Sequence, residues 1–198
     1  MIRPPKRECN GTMVPGEDLV VAGYICQRGT RELIQAFRQE LFQWFSKSFL
    51  WEAVQAAQPD VNHYLPKFME LGATESEPAG EGGILKAIWD LSGAYRVGLT
   101  FFPRTIPIRQ CTIEICERVG CNPYRLFCGN CLVMAAANGG QLVEACINLG
   151  IPAAVIGRVE EGTARKIRHG EETGYLERPG EDELYRVTRT KMESYVPK

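Results

Sequence analysis

The sequence predicts an α/β (α+β) fold in which helices pack on a mixed β-sheet, with a β-hairpin near the C-terminal end. Two observations support this prediction. Short apolar runs such as residues 18–26 and 131–137 alternate with segments whose apolar residues recur every three or four positions. Residues 164–178 have the pattern of two short strands that turn at Gly170. The 198 residues are 44% hydrophobic and 24% charged, which is ordinary for one globular domain with its own core.

In the first half of the chain, a buried strand is predicted over residues 18–26, and Gly29 and Thr30 are expected to break it and cap a helix. A single helix should follow because large apolar residues recur every four positions, and helical character is expected to continue through residues 50–58. The residues of this repeat are Leu33, Phe37, Leu41, Phe45 and Phe49. A new segment begins at Pro59.

In the second half, residues 72–83 are polar and rich in glycine, which predicts a flexible loop, and residues 179–187 are expected to form a short exit from the hairpin. Between them, a helix is predicted with Ile84, Ile88, Leu91 and Tyr95 on one face, and it is followed by a strand in which Val97, Leu99 and Phe101 alternate. A second helix should run from Pro107 to Val119. A strand over 131–137, a helix capped by Asn138 and a strand over 153–159 are predicted after it.

Composition limits the setting and the partners. Residues 1–15 are rich in Pro, Arg and Lys, which predicts a flexible arm before a single domain of residues 16–198. A net charge of −1 provides no basic field to attract nucleic acid or acidic lipid. The N-terminal residues lack a secretory pattern, and the longest apolar runs are far shorter than the ~20 residues that span a bilayer. We therefore expect a cytoplasmic protein with neither a nucleic-acid nor a membrane partner, whose eight cysteines are not a disulfide framework.

Several ordered motifs are similar to one known family. The run "IPIRQCTIEICERVGCNPYRLFCGNCLVMAA" (106–136), then "AAVIGRV" (153–159) and "PGEDELYRV" (179–187), resembles the C-terminal domain of the AIR synthase (PurM-like) superfamily. "PGEDLVVAGYICQRGTREL" (15–33) is similar to the strand and helix that open that domain. The likeness covers residues 15 to 190 and is closest to HypE-type hydrogenase maturation factors and AIR-synthase-related proteins of anaerobes. It implies a PurM-like C-terminal domain, whose interdomain surface is expected to be free to bind a partner or form a homodimer.

The resemblance also implies what the chain needs for catalysis. Full-length members have a preceding domain that supplies most of the ATP and magnesium ligands, and this N-terminal ATP-binding domain is expected to be absent. An enzymatic role would be that of an ATP-dependent, HypE-like ligase or dehydratase acting with a partner chain. We expect no cofactor for this chain alone, and ATP with magnesium only where a partner supplies the site. No cysteine follows Cys146, so the chemistry of the HypE tail is not expected.

A candidate ligand loop follows from the same resemblance. The family segment Asp-x-Thr-x-Gly-Gly-Leu is matched by "SEPAGEGGIL", which places Pro78 at the Asp position and Gly80 at the Thr position. The residues that could form a ligand or phosphate site are Glu77, Gly80, Glu81, Gly82 and Gly83. A glycine-rich turn that opens a helix can present N–H groups to an anion. The alternative is a flexible loop whose glycines permit close packing, and the charge of Glu81 favours this alternative.

The cysteines suggest a second candidate site. Cys128 and Cys131 form a C-x-x-C pair, which makes them weak candidates for a metal or redox site. A structural zinc would need a second such pair, and the sequence has none, so packing as small buried side chains is the favoured interpretation. Cys111 and Cys116 diverge by about 140° on a helix. Asn130 is expected to adopt the left-handed conformation.

Three classes of function are consistent with these patterns. The favoured one is a non-catalytic binding or assembly module, whose partner is a second copy or a separate ATP-binding chain. The first alternative is half of a split ATP-dependent enzyme that activates an amide or carbonyl oxygen. The second is a thiol or metal protein that uses Cys128 and Cys131. No catalytic residue is assigned. A surplus of aromatic residues is expected to form core or an oligomer surface: Phe37, Phe42, Trp44, Phe45, Phe49 and Trp51.

Overall fold

The computed structural model describes residues 11–55 and 58–194, which form a seven-stranded mixed sheet and eight α-helices. The strands are β1 (Asp18–Ala22), β2 (Ala73–Pro78), β3 (Gly98–Phe101), β4 (Leu132–Ala136), β5 (Ala153–Glu160), β6 (Arg165–His169) and β7 (Glu172–Tyr175). The helices are α1 (Gln27–Ala36), α2 (Arg38–Leu41), α3 (Lys47–Gln55), α4 (Leu65–Glu70), α5 (Gly83–Tyr95), α6 (Gln110–Val119), α7 (Gly139–Asn148) and α8 (Glu183–Ser194). The predicted fold class and the C-terminal hairpin are confirmed.

The strand order is β2-β4-β1-β5-β3-β6-β7, and every neighbouring pair is antiparallel except β3 and β6. Both faces of the central strands are covered. In β1, Leu19 and Val21 face a large core that contains residues of α1, α5 and α6, whereas Val20 and Ala22 face a smaller core under α4 and α7. Burial on both faces explains why β1 and β4 appear in the sequence as continuous apolar runs.

Two predicted elements are wrong. Residues 73–78 are an edge strand rather than a loop, because β4 offers them a pairing partner, with Ser76 opposite Met134 and Glu77 opposite Val133. Residues 183–194 form α8 rather than a short exit. In both places the local polarity suggested a loop, and tertiary contacts supplied the hydrogen bonds and burial that stabilise regular structure.

The helical region after β1 also differs from the prediction. Three helices replace the single predicted one, since the chain turns after Ala36 and again over residues 42–46. Residues 56 and 57, within the predicted continuation, lie outside the described residues. α1 begins at Gln27, so Gly29 and Thr30 do not cap it and instead lie in its first turn. Gly29 is required there because a Cβ atom would lie 2.5 Å from Cγ of Leu126.

The described part of the N-terminal arm packs on the edge of the sheet. The N–H of Thr12 donates to the carbonyl of Thr74 in β2, and Met13 is buried. Residues 1–10 of the predicted arm lie outside the described residues. Among the described helices, we find none with the length and apolar character that crossing a bilayer requires.

Candidate functional site

The candidate loop lies at the N-terminus of α5, where β2 ends. The N–H of Gly83 donates to the carbonyl of Gly80 at 3.2 Å and closes a tight turn. Gly82 and Gly83 have φ angles of +82° and +72°, which favour glycine, and both are buried, whereas Glu81 is exposed. Glu77 belongs to β2. The loop is therefore an ordered turn packed under other segments, rather than a flexible stretch.

The N–H groups at the start of α5 already have acceptors within the chain. Gly82 donates to Oδ2 of Asp182 at 2.6 Å, and the N–H of Ile84 donates to the sulfur of Cys128. A carboxylate and a thiol thus occupy the end of the helix that attracts anions. Asp182 is 2% exposed, and burial raises its pKa.

Asp182 also begins α8 and ties it to the candidate loop. Its Oδ1 accepts from the N–H of Leu184 at 2.9 Å, and its carboxylate accepts from the N–H of Phe127. The neighbouring Glu183 accepts from the N–H of Asn122 at 2.9 Å and pairs with Arg186. Sequence reasoning missed Asp182 because a hundred residues separate it from Gly82. An acidic residue just before an apolar helical repeat was the available signal.

Cys128 and Cys131 point into the core and meet a third cysteine. All three side chains of this thiol trio (Cys26, Cys128 and Cys131) have no exposed surface. The Cys128 sulfur is within hydrogen-bonding range of the other two thiols. The thiols of Cys26 and Cys128 both reach the carbonyl oxygen of Leu126, at 3.7 and 3.5 Å. Cys26 precedes α1 with a φ angle of +64°, a left-handed conformation that is rare for a residue with a side chain.

The three thiols of the trio differ in the direction in which their surroundings shift the pKa. Burial opposes ionisation of Cys128, but hydrogen bonds from the thiols of Cys131 and Cys26 and from the N–H groups of Cys26 and Ile84 outweigh it and hold the pKa of Cys128 well below its usual value. Burial raises the pKa of Cys26. The hydrogen bond to Cys128 and burial raise the pKa of Cys131. Of the three thiols, Cys128 is therefore the one whose surroundings favour ionisation.

Cys116 and Cys121 form a separate thiol pair at the end of α6. Both are buried, and the N–H of Cys121 donates to the carbonyl of Cys116 at 2.9 Å. The hydrogen bond from its neighbour Cys121, together with burial, raises the pKa of Cys116 far above its usual value. Cys111, on another face of the helix, is half-buried. This pair has thiol contact without the helix N-terminal donors that surround Cys128.

The expected left-handed conformation of Asn130 is wrong. Gly129 takes the positive φ, at +95°, and among the described residues other than glycine only Cys26 and Arg96 have a positive φ. Asn130 uses its side chain instead, accepting from the N–H of Val61 at 2.8 Å and donating to the carbonyl of Pro59 at 2.9 Å. The asparagine therefore ties the Cys128–Cys131 turn to the segment before α4.

The described residues do not fit a metal site. Over 11–55 and 58–194, no group of three or more His, Cys, Asp or Glu side chains is placed to hold a metal ion. His63 and His169 are exposed, at a 3₁₀ turn and at the end of β6.

The six aromatic residues expected to form core or an oligomer surface are divided between the core and the exposed surface. Three of its members pack against the core and three are exposed: Phe37, Phe45 and Phe49 inside, and Phe42, Trp44 and Trp51 outside. Trp44 borders a groove of about 380 Å³ between α2, the end of α6 and α8. Arg118 lies 4.1 Å above its ring, and Lys191 pairs with Glu40 at 2.7 Å in the same groove.

The architecture is that of the PurM-like fold, and its likeness is to the C-terminal part of known members. Escherichia coli HypE superposes with a TM-score of 0.67 and 18% identity over 89% of this chain and 54% of that chain. HypE from a HypE–HypF complex superposes with a TM-score of 0.68 and 19% identity over 85% of this chain and 55% of that chain. Thiamine-monophosphate kinase from Stenotrophomonas maltophilia K279a superposes with a TM-score of 0.56 and 17% identity over 78% of this chain and 50% of that chain.

These likenesses confirm the resemblance inferred from the sequence at the level of fold. The chain spans about half the length of the solved structures it resembles. No protein-family description and no curated protein sequence matches it. Fold alone does not define activity, so function has to be argued from the site itself.

Proposed function

We propose that this chain is a cytoplasmic binding or assembly module with the PurM-like C-terminal fold, without catalytic activity of its own. The observation that carries the proposal is that the N–H groups at the N-terminus of α5 already have acceptors within the chain. Asp182 accepts the N–H of Gly82, Cys128 accepts that of Ile84, and the carbonyl of Gly80 accepts that of Gly83. A phosphate approaching this turn would meet two acidic groups and no available donor among these three.

Nucleotide binding tests this proposal directly. With Mg-ATP as the titrant, isothermal titration calorimetry of the chain is expected to give no micromolar binding, and phosphate release is expected to stay at the level of a buffer blank. The reason is that the turn holds its own anions and the described residues offer no carboxylate cluster for magnesium. Micromolar affinity or steady ATP hydrolysis by the isolated chain would overturn the proposal.

A second candidate function is half of a split ATP-dependent enzyme. It is favoured by the coverage of about half of each relative, and by the nucleotides present in two solved structures: HypE in complex with ATP, and AaThiL in complex with AMPPCP and TMP. The test is to mix this chain with the half of E. coli HypE that it does not match. Mg-ATP hydrolysis in the mixture, absent from either part alone, would establish the split enzyme instead of the module.

We assign the docking surface of the module to the groove beside Trp44, and its occupant to a second copy of this chain. The groove contains both signs of charge, with Arg118 on one wall and Glu40 on another, and the exposed ring of Trp44 lines it. A two-fold contact pairs a surface with itself, so a patch that has charges of both signs can complement its own copy. Tryptophan is among the residues enriched at the centre of such contacts.

Replacing Trp44 by alanine is expected to weaken self-association more than tenfold, because truncating a central tryptophan typically costs about 2 kcal/mol or more. Sedimentation equilibrium measures the change. Thermal stability of the monomer should stay nearly constant, since the Trp44 side chain is 62% exposed. Tyr175→Ala, at a ring 66% exposed on β7, is the matched control and should leave association unchanged. A wild-type chain that sediments as a monomer at high concentration contradicts the assignment.

A further inference from the structure

The thiol trio combines features that packing alone does not require. Its three sulfurs lie together at the N-termini of two helices, since Cys26 precedes α1 and the N–H of Ile84 belongs to the first turn of α5. Backbone hydrogen bonds join the same segments: the N–H of Arg28 donates to the carbonyl of Cys128, and the N–H of Cys128 donates to the carbonyl of Gly80. Left-handed strain at a residue such as Cys26 is commonly kept where the side chain has a function.

The trio is fully buried but lies directly beneath the surface. Its side chains have no exposed area, yet Phe127, Gly129 and Asn130, which are adjacent to the two cysteines in sequence, are partly exposed. The loop that carries Cys128 and Cys131 therefore reaches the surface although the sulfurs do not. Access of a small oxidant to these sulfurs requires a local opening, which native proteins undergo without global unfolding.

We propose that Cys128 and Cys131 are a redox-active dithiol, which a hydroperoxide oxidises to a disulfide, and that Cys26 positions the Cys128 sulfur for this reaction. The Cys128 thiolate attacks one peroxide oxygen, the O–O bond breaks, and the second oxygen leaves as water after taking a proton. The Cys131 thiol then displaces the hydroxyl of the Cys128 sulfenic acid, which leaves as a second water. Two thiols lose two electrons, and the peroxide is reduced to two molecules of water or to water and an alcohol.

The chemistry of the site fits this role. An N–H donor from a helix N-terminus lowers the pKa of a thiol, and a second thiol in contact resolves the sulfenic acid. Oxidation also removes the anionic acceptor of the Ile84 N–H at the start of α5. The redox state of the dithiol therefore acts on the candidate loop, because the N–H of Cys128 donates to the carbonyl of Gly80. This inference does not depend on the proposed binding function.

The chain contains its own control for the test. Cys116 and Cys121 are also buried and in contact, but they lack N–H donors from a helix N-terminus. The folded protein is treated with hydrogen peroxide, the remaining thiols are alkylated after unfolding, and the peptides are mapped by mass spectrometry. We expect a Cys128–Cys131 disulfide, loss of two of the eight thiols and recovery with dithiothreitol, while Cys116 and Cys121 stay reduced. No disulfide, equal oxidation of both pairs, or oxidation only in denaturant overturns the proposal.

Two variants separate the roles within the trio. Cys131→Ser should leave Cys128 as a sulfenic acid that dimedone traps, without a disulfide. Cys26→Ala should still form the disulfide, but the pH at which oxidation is half-maximal should rise, because Cys128 loses a thiol hydrogen-bond donor. Cys146→Ser, at a buried thiol in the other core, should leave both the product and the pH profile unchanged. An unchanged profile in Cys26→Ala contradicts the positioning role.

Discussion

Gly83→Ala should lower the free energy of unfolding by about 2 to 5 kcal/mol. A left-handed backbone costs a residue with a side chain about 1–2 kcal/mol, and Gly83 has a φ of +72°. A Cβ atom would also lie 2.6 Å from the carbonyl oxygen of Tyr124 and 2.8 Å from the carbonyl carbon of Arg125. Overpacking against backbone adds about 1–3 kcal/mol. Urea unfolding monitored by circular dichroism measures the change.

Two matched substitutions separate the contributions. Gly150 has almost the same φ, at +73°, but a Cβ atom there would have no neighbour within 4 Å, so Gly150→Ala should show only the conformational penalty. Gly29→Ala should show only the steric one, since its Cβ would lie 2.5 Å from Cγ of Leu126. If Gly83→Ala costs no more than Gly150→Ala, residues 124–125 move without a measurable energetic cost, and the turn is not tightly packed against them.

Asp182→Ala should lower the free energy of unfolding by about 2 to 4 kcal/mol. The change removes the acceptor for the N–H groups of Gly82 and Phe127 and the cap of α8. Leaving a buried donor unsatisfied costs about 1–3 kcal/mol, and losing a cap costs about 1 kcal/mol. Asp182→Asn is the intermediate control, because its single amide oxygen can replace only one of the two carboxylate oxygens that accept N–H groups, so its loss should be smaller than that of Asp182→Ala. A loss in Asp182→Ala no larger than in Asp182→Asn would contradict the hydrogen-bonding account.

The neighbouring carboxylates of Asp182 and Glu183 predict opposite pH dependences for the free energy of unfolding. Burial raises the pKa of Asp182, so the folded protein holds this proton more tightly than the unfolded chain does. The resulting contribution to stability is fully present below the unfolded pKa of about 3.9 and is lost as pH rises through the raised folded value. Burial opposes ionisation of Glu183, but Arg186 and the N–H of Asn122 outweigh it and lower its pKa. The Glu183 contribution is therefore present above about 4.3 and is lost as pH falls through the lowered value.

Unfolding free energies between about pH 3 and pH 7 test these signs. Relative to wild type, Asp182→Asn should gain stability as pH rises through the Asp182 window, whereas Glu183→Gln should be most destabilising at neutral pH and approach wild type in acid. Parallel curves for wild type and both variants would show that neither carboxylate differs in pKa between the folded and unfolded chain.

Local pattern was sufficient for most of the regular structure. The apolar runs of β1, β4 and β5, the helical repeat of α5, the Asn138 cap of α7 and the hairpin at Gly170 are all present as predicted. Such elements bury a face whose period is visible in the sequence. The predictions failed for β2 and α8, whose residues are polar and acquire their structure from a neighbouring strand and from Asp182.

The sequence by itself determined the fold class, the PurM-like resemblance and the position of the glycine turn, because those depend on periodicity and on residues close together in the chain. Only the tertiary structure decided what surrounds that turn. It brings Asp182 to Gly82 from a hundred residues away, and it joins Cys26 to Cys128 and Cys131 as the third thiol. Sequence spacing contains no information on such contacts, since long-range packing of α1, α5 and α8 against one loop creates them.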